Sequence, residues 1–133
     1  MNFIKNILLF LWQLPQNVLG LTVILVTKAK KSHNFKRVWL TQCCNFGVSL
    51  GYFIIFGDKD YFVMSTDFAH ESGHCKQSLY LGPLYLLLIG LPSILFNIYD
   101  RLFHKKWPYS DRYDWYYALP WEAWADRLGH VKR

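Results

Sequence analysis

Hydrophobic and polar positions alternate in blocks along the chain, and each block predicts an element. No Asp, Glu, Lys or Arg occurs between Lys5 and Lys28, and NILLFLWQLPQNVLGLTVILVT is long enough to cross a bilayer as a helix. LPQN interrupts this stretch near its middle. The pattern predicts a kinked membrane anchor or a pair of short apolar helices in the interface, with a helix pair buried in the fold as the remaining arrangement. A small-residue cleavage site is missing, so the segment is expected to stay in place. KRVWLTQCC (36–44), GVSLGYFIIFG (47–57) and DYFVMS (60–65) are rich in Val, Ile, Phe and Tyr and are separated by NFG and GDKD. They predict three strands in an antiparallel meander. A second uncharged stretch lies between Lys76 and Asp100. Within it, PLYLLLIGLPSILFNIYD (83–100) predicts a very apolar helix that Gly90 and Pro92 kink or break. RLFHKKWPYSDRYDWYY (101–117) has no clear period and reads as a connection. PWEAWADRLG (120–129) predicts a last helix, with Pro120 in its first turn and Gly129 just past its end.

Between the strands and the second apolar stretch lies FAHESGHCKQS (68–78). MSTD (64–67) offers Ser65, Thr66 or Asp67 as an N-cap, and LGP (81–83) is a stop signal, so a helix is expected to about residue 80. Residues four apart share a helix face. His70 and His74 therefore aim two imidazoles at one spot, with Glu71 turned about 100° aside. That is the His-Glu-x-x-His arrangement, in which two histidines bind zinc and the glutamate deprotonates a zinc-bound water. The bland alternative is two surface histidines near a glutamate. Gly73 costs this helix about 1 kcal/mol relative to Ala, so close approach of another backbone is expected there.

The last helix supplies what the motif lacks. Glu122 and Asp126 share a face one turn apart, beside an apolar stripe of Trp121, Trp124 and Leu128. A carboxylate can complete a two-histidine zinc site and leave the fourth position to water. An aspartate one turn on can accept the other ring N–H of a ligand histidine and fix its tautomer.

Composition narrows the class. At 133 residues this is one domain, divided into an apolar N-terminal segment, 1–30, and a folded part, 31–133. The expected fold class is α+β: a small three-stranded antiparallel meander packed on the His-Glu-x-x-His helix and the third-ligand helix. The chain is 53% hydrophobic with a net charge of +6. The basic residues make no groove-like pattern with aromatic partners, so nucleic acid is not an expected partner. Lys28, Lys30, Lys31, Lys36 and Arg37 instead gather directly after the first apolar stretch, as the positive flank of a membrane segment does. They place the catalytic part on the cytoplasmic side of a membrane. His104, Lys105 and Lys106 could touch anionic headgroups or form a solvated loop. Three cysteines, two of them adjacent, make no disulfide framework. Cys75 points to another helix face than His74.

HESGH followed by a helix containing EAWADRLG resembles the gluzincin metallopeptidases. It is closest to the group with Glu-x-x-Ala-Asp or Glu-x-x-x-Asp in the third-ligand helix, which includes membrane-bound quality-control and CAAX-type proteases and the compact minigluzincins. The resemblance covers residues 70–74 and 122–129 and leaves 1–35 and 79–118 unexplained. It implies His70, His74 and Glu122 as Zn2+ ligands, Glu71 as general base and Asp126 as the support of a ligand histidine. It also implies that a sheet edge before the motif helix holds a peptide or protein substrate in extended form. For the group that steadies the oxyanion, Tyr116, Tyr117 and His130 are candidates by nearness in sequence.

This ligand set constrains the second apolar stretch, because Glu122 must reach His70 and His74. One straight span between them would leave Glu122 about 30 Å away on the far side of a membrane. Residues 83–99 are therefore expected to be a buried core helix, or a hairpin broken near Gly90–Pro92 that dips into the interface. The expected function is a membrane-associated zinc peptidase. The alternative is a catalytically inactive zinc-containing scaffold at the membrane.

Overall fold

Residues 2–43, 46–57 and 65–133 are described in the computed structural model. The first apolar stretch forms two helices, α1 (Asn2–Trp12) and α2 (Leu14–Thr27), bent by 85° where they meet. LPQN makes the bend because its polar side chains are used inside the protein. Gln16 Nε2 donates to Ser78 Oγ (2.8 Å) and to the Gly82 carbonyl (2.9 Å), and Ser78 Oγ donates to Gln13 Oε1 (2.7 Å). Asn17 donates to the Phe10 carbonyl and accepts from the Tyr52 amide. Buried polar groups need such partners, so the bend is pinned to the rest of the fold. Ile24 of α2 and Ala29 just beyond it share a core cluster with Leu50, Phe53 and Ile55. By contrast, no residue of α1 is buried, and Phe3, Ile4, Ile7, Leu8 and Leu11 are exposed.

The fold is α+β, but the sheet is not the expected three-stranded antiparallel meander. Among the described residues it has four strands, β1 (Lys30–Lys31), β2 (Val38–Thr41), β3 (Gly47–Leu50) and β4 (Phe53–Gly57), in the order β1-β2-β4-β3. The β2–β4 pair is parallel, and the other two pairs are antiparallel. The expectation failed at Gly51. With φ at +65° it turns the chain, so residues 47–57 are a hairpin with Leu50 opposite Phe53. β4 thereby becomes central. Its alternate residues serve two cores: Phe53 and Ile55 face α2, whereas Ile54 and Phe56 pack with Val38 and Cys75. A strand covered on both faces reads as a continuous apolar run, which hid the turn. The expected strand at 60–65 falls largely outside the described residues, except that Ser65 already belongs to a helix.

That helix, α3 (Ser65–Leu81), carries the motif, with Ser65, Thr66 and Asp67 in its first turn and not before it. Gly82, at φ +53°, ends it. A 3₁₀ turn (Gly82–Leu84) and a π-helical turn (Leu86–Gly90) lead into α4 (Leu91–Phe103). Leu86–Phe103 is thus one continuous helix of 18 residues, the one described helix that is long and apolar enough to cross a membrane. It is neither broken at Gly90–Pro92 nor buried: only Ile89 and Asp100 along it are buried. The wider π turn immediately precedes Pro92, whose ring would clash with a regular α-helical carbonyl.

The supposed connection contains a further helix, α5 (Tyr109–Tyr117), and α6 (Pro120–Gly129) follows. α5 runs back along α4. Arg112 pairs with Asp100, Tyr116 donates to the Ser93 carbonyl, and Trp115 stacks on Phe96 and Tyr99. This return brings Glu122 to Ser93, near the start of α4. A continuous helix over Leu86–Phe103 is therefore compatible with Glu122 reaching His70 and His74, because α5 carries the chain back from its far end.

Candidate metal centre

Two glycines set the distance between α3 and α6. A Cβ at Gly73 would lie 1.9 Å from the Ala125 carbonyl oxygen, and one at Gly129 would lie 2.0 Å from that of Ala69. The close backbone approach expected at Gly73 is therefore made by α6. Gly129 sits in the final turn of α6 for the same reason, and His130, at φ +59°, takes the left-handed cap expected of the glycine. Glu122, Ala125 and Asp126 are the residues this contact buries.

Contact at this range places three ligand atoms together. His70 Nε2 and His74 Nε2 are 3.1 Å apart, and Glu122 Oε2 lies 3.2 Å from the first and 3.1 Å from the second. Ligands held tetrahedrally at about 2.0–2.1 Å from a zinc ion are about 3.3 Å from one another, so the spacing fits a small divalent cation. Tautomers agree with the distances. His70 Nδ1 donates to Asp126 Oδ1 and His74 Nδ1 donates to Gln77 Oε1, both at 2.7 Å. With the Nδ1 protons so placed, loss of the Nε2 protons to an entering cation would leave both Nε2 lone pairs facing the cluster. This His70, His74 and Glu122 group is fully buried and could hold a metal ion.

The partners extend beyond the expected set. Ser93 of α4 donates to Glu122 Oε1 at 2.6 Å, and Tyr116 donates to the same oxygen at 3.2 Å. Gln77, while accepting from His74, donates to the Trp121 carbonyl and so links α3 to the start of α6. Arg133 clamps Asp126 through Nε (2.6 Å) and lies over the Tyr117 ring. Ser93 and Gln77 were not foreseen, although each left a trace: Ser93 and Asn97 are polar residues one turn apart in an apolar helix, and Gln77 is one turn beyond His74.

Charge in the site is tightly balanced. Burial alone would lower the His74 imidazole, but its hydrogen bond to Glu122 and the charges of Glu71 and Glu122 outweigh it and raise the group to about 9. Burial likewise favours a neutral Glu122, yet His70, His74 and Ser93 hold its carboxyl far below the usual range. Glu71 behaves differently, because burial is its dominant influence and pushes it up. Its Oε2 has no hydrogen-bond partner among the described residues. A Cβ on Gly47, the first residue of β3, would come within 3.3 Å of its Oε1. Glu71 thus sits against β3.

These groups open onto a cleft of about 1010 Å³, walled on one side by β3 and on the other by α4. Tyr116 and Tyr117 also line it, and the Tyr117 ring meets His70 edge-on at 5.1 Å. His130 is exposed past the end of α6 and does not line the cleft. Cys75 is turned away from the ligands, with Sγ 2.9 Å from Ser49 Oγ in the sheet contact. What this defines is an α+β chain with a buried His/His/Glu group beside a cleft. Comparison with protein-family models, with curated proteins and with solved structures gives no match.

Proposed function

We propose that this protein is a membrane-associated zinc peptidase of the gluzincin type. The observation that carries the reading is the convergence of two inward-facing imidazole nitrogens and one carboxylate oxygen within 3.2 Å, next to Glu71, whose Oε2 has no hydrogen-bond partner among the described residues. Zinc, when bound, supplies Lewis acidity that polarises a scissile carbonyl and brings a water within reach of deprotonation near neutral pH.

The chain's own residues supply the rest. Glu71 takes a proton from the attacking water and passes it to the leaving amine, and its burial moves its affinity for that proton in the useful direction. Asp126 and Gln77 keep both histidine rings oriented. Among the described residues β3 pairs with a neighbour on one side only, and its other edge is the one that could take an extended peptide as an added strand. Of the three oxyanion candidates, Tyr117 is favoured. Tyr116 is occupied by Glu122 and Ser93, whereas burial keeps the Tyr117 phenol protonated and therefore a donor. Exposed apolar residues on α1 and α4 support a membrane location, and the basic cluster after α2 supports a cytoplasmic-facing site.

The test compares wild type with Glu71→Gln on a mixed peptide library, reading new termini by mass spectrometry. General-base assistance contributes about 10²–10⁴-fold, so cleavage should vanish in the variant while metal content stays unchanged. Full zinc occupancy without cleavage by either protein would leave a scaffold.

A further inference from the structure

The mouth of the cleft is apolar on both sides. Leu19 of α2 stands on one rim and Leu91, Ile94 and Ile98 of α4 on the other, and these residues are 42–59% exposed. The outer face of α4 continues the surface with Leu88, Leu95 and Leu102, all exposed. Apolar area so extensive, beside a catalytic-type cleft, marks a contact with something apolar.

By length alone, 86–103 could cross a bilayer. Its neighbour rules this out. α5 lies antiparallel beside it, with Arg112 against Asp100 and Tyr116 against Ser93. Asp111 and Asp114 of α5 are exposed, and Asp114 falls level with the stretch between those two contacts. Upright insertion would carry the Asp114 carboxylate into hydrocarbon, where it is strongly disfavoured. A helix lying in the interface avoids that: its outer face enters the acyl chains while Ser93, Asn97 and Asp100 stay turned to the protein. Lys105, Lys106 and Trp107 follow directly and are exposed, as suits the headgroup region.

We propose that the cleft mouth rests on a bilayer with α4 in the plane of the interface, and that the site acts on apolar peptide segments drawn from the lipid. The docking half stands on the surface alone, while the substrate half rests on the peptidase reading. A segment leaving the bilayer at this mouth would meet Leu91, Ile94 and Ile98 on one side and the edge of β3 on the other, without crossing water.

Two measurements on the full chain test this. Spin labels are placed at Leu95→Cys and, separately, Asp114→Cys, with Cys43 and Cys44 replaced by Ser, on phosphatidylcholine–phosphatidylglycerol vesicles. The label at 95 should be relaxed by oxygen more than by a water-soluble nickel chelate, and the label at 114 the reverse. Both labels in lipid would mean upright insertion, both in water would mean no docking, and either overturns the orientation. Wild type and Glu71→Gln are then given a vesicle-borne peptide with one apolar segment and a water-soluble unstructured peptide. Wild type should cut the apolar segment roughly tenfold or more in preference, the low end of what one extra methylene in an apolar pocket supplies. Equal or better cutting of the soluble peptide overturns the substrate class and leaves the peptidase standing. No cutting of either peptide, with the label at 95 in lipid, overturns the peptidase reading and the substrate class together but leaves the docking.

Discussion

Ser93 donates a 2.6 Å hydrogen bond to Oε1 of Glu122, and Oε2 of the same carboxylate faces His70 and His74. The apolar helix that borders the cleft therefore also orients the third member of the metal group. Loss of a hydrogen bond that orients a ligand typically costs 10–100-fold in metal affinity. Ser93→Ala should weaken zinc binding by about that factor in competition with a chromophoric chelator. Asn97→Ala, one turn along and with no bond to the site, should leave affinity unchanged.

Two helical glycines, Gly73 in α3 and Gly90 in the π turn before α4, make a second contrast. Ala is better than Gly in a helix by about 1 kcal/mol, and Gly90→Ala should realise part of that, because the nearest atom to its new Cβ is 3.5 Å away. Gly73→Ala meets the Ala125 carbonyl oxygen at 1.9 Å and should instead destabilise the protein by about 1–3 kcal/mol, as overpacking does. Because the displaced element is α6, zinc affinity should fall as well. Thermal unfolding and zinc titration of both variants read the two effects.

How much of this was legible beforehand depended on where the information lies. The motif helix, the shared face of Glu122 and Asp126, and the reason for Gly73 follow from helical periodicity, which is local. The sheet did not, because β4 is buried on both faces and its apolar run continues past the turn at Gly51. α5 was missed because its residues carry no apolar stripe: it is held by the Asp100–Arg112 pair and by ring stacking on α4. The bend at LPQN was visible, but not its partners Ser78 and Tyr52, which are more than thirty residues away. Local signals place the ligands, and nonlocal packing decides how they meet.

Metal should also be part of the stability. Two imidazole nitrogens and a carboxylate oxygen at 3.1–3.2 Å favour a cation, and a ligand that binds only the folded state adds about 2.7 kcal/mol at a hundred times its dissociation constant. Chelation should lower the unfolding temperature of wild type and restored zinc should recover it. In His70→Ala and His74→Ala, neither treatment should move the transition. An equal response in all three proteins would place the metal elsewhere.

The sharpest ordering concerns the groups that touch the metal and those that hold them. Glu122→Ala removes a ligand atom outright, along with the acceptor of Ser93 and Tyr116, so it should weaken zinc binding most. Asp126→Ala comes next. Its carboxylate accepts the Nδ1 proton of His70 at 2.7 Å and is itself clamped by Arg133, and a charged acceptor raises the basicity of the ring. Gln77→Ala should come last, since a neutral amide fixes the His74 tautomer at the same distance but adds no charge. Circular dichroism separates binding from folding, because Gln77 also bridges to the Trp121 carbonyl and its loss should cost stability more than affinity. If Asp126→Ala proves more damaging to zinc binding than Glu122→Ala, the two carboxylates have exchanged roles, and the ion sits nearer the Asp126 end of α6 than the three convergent atoms indicate.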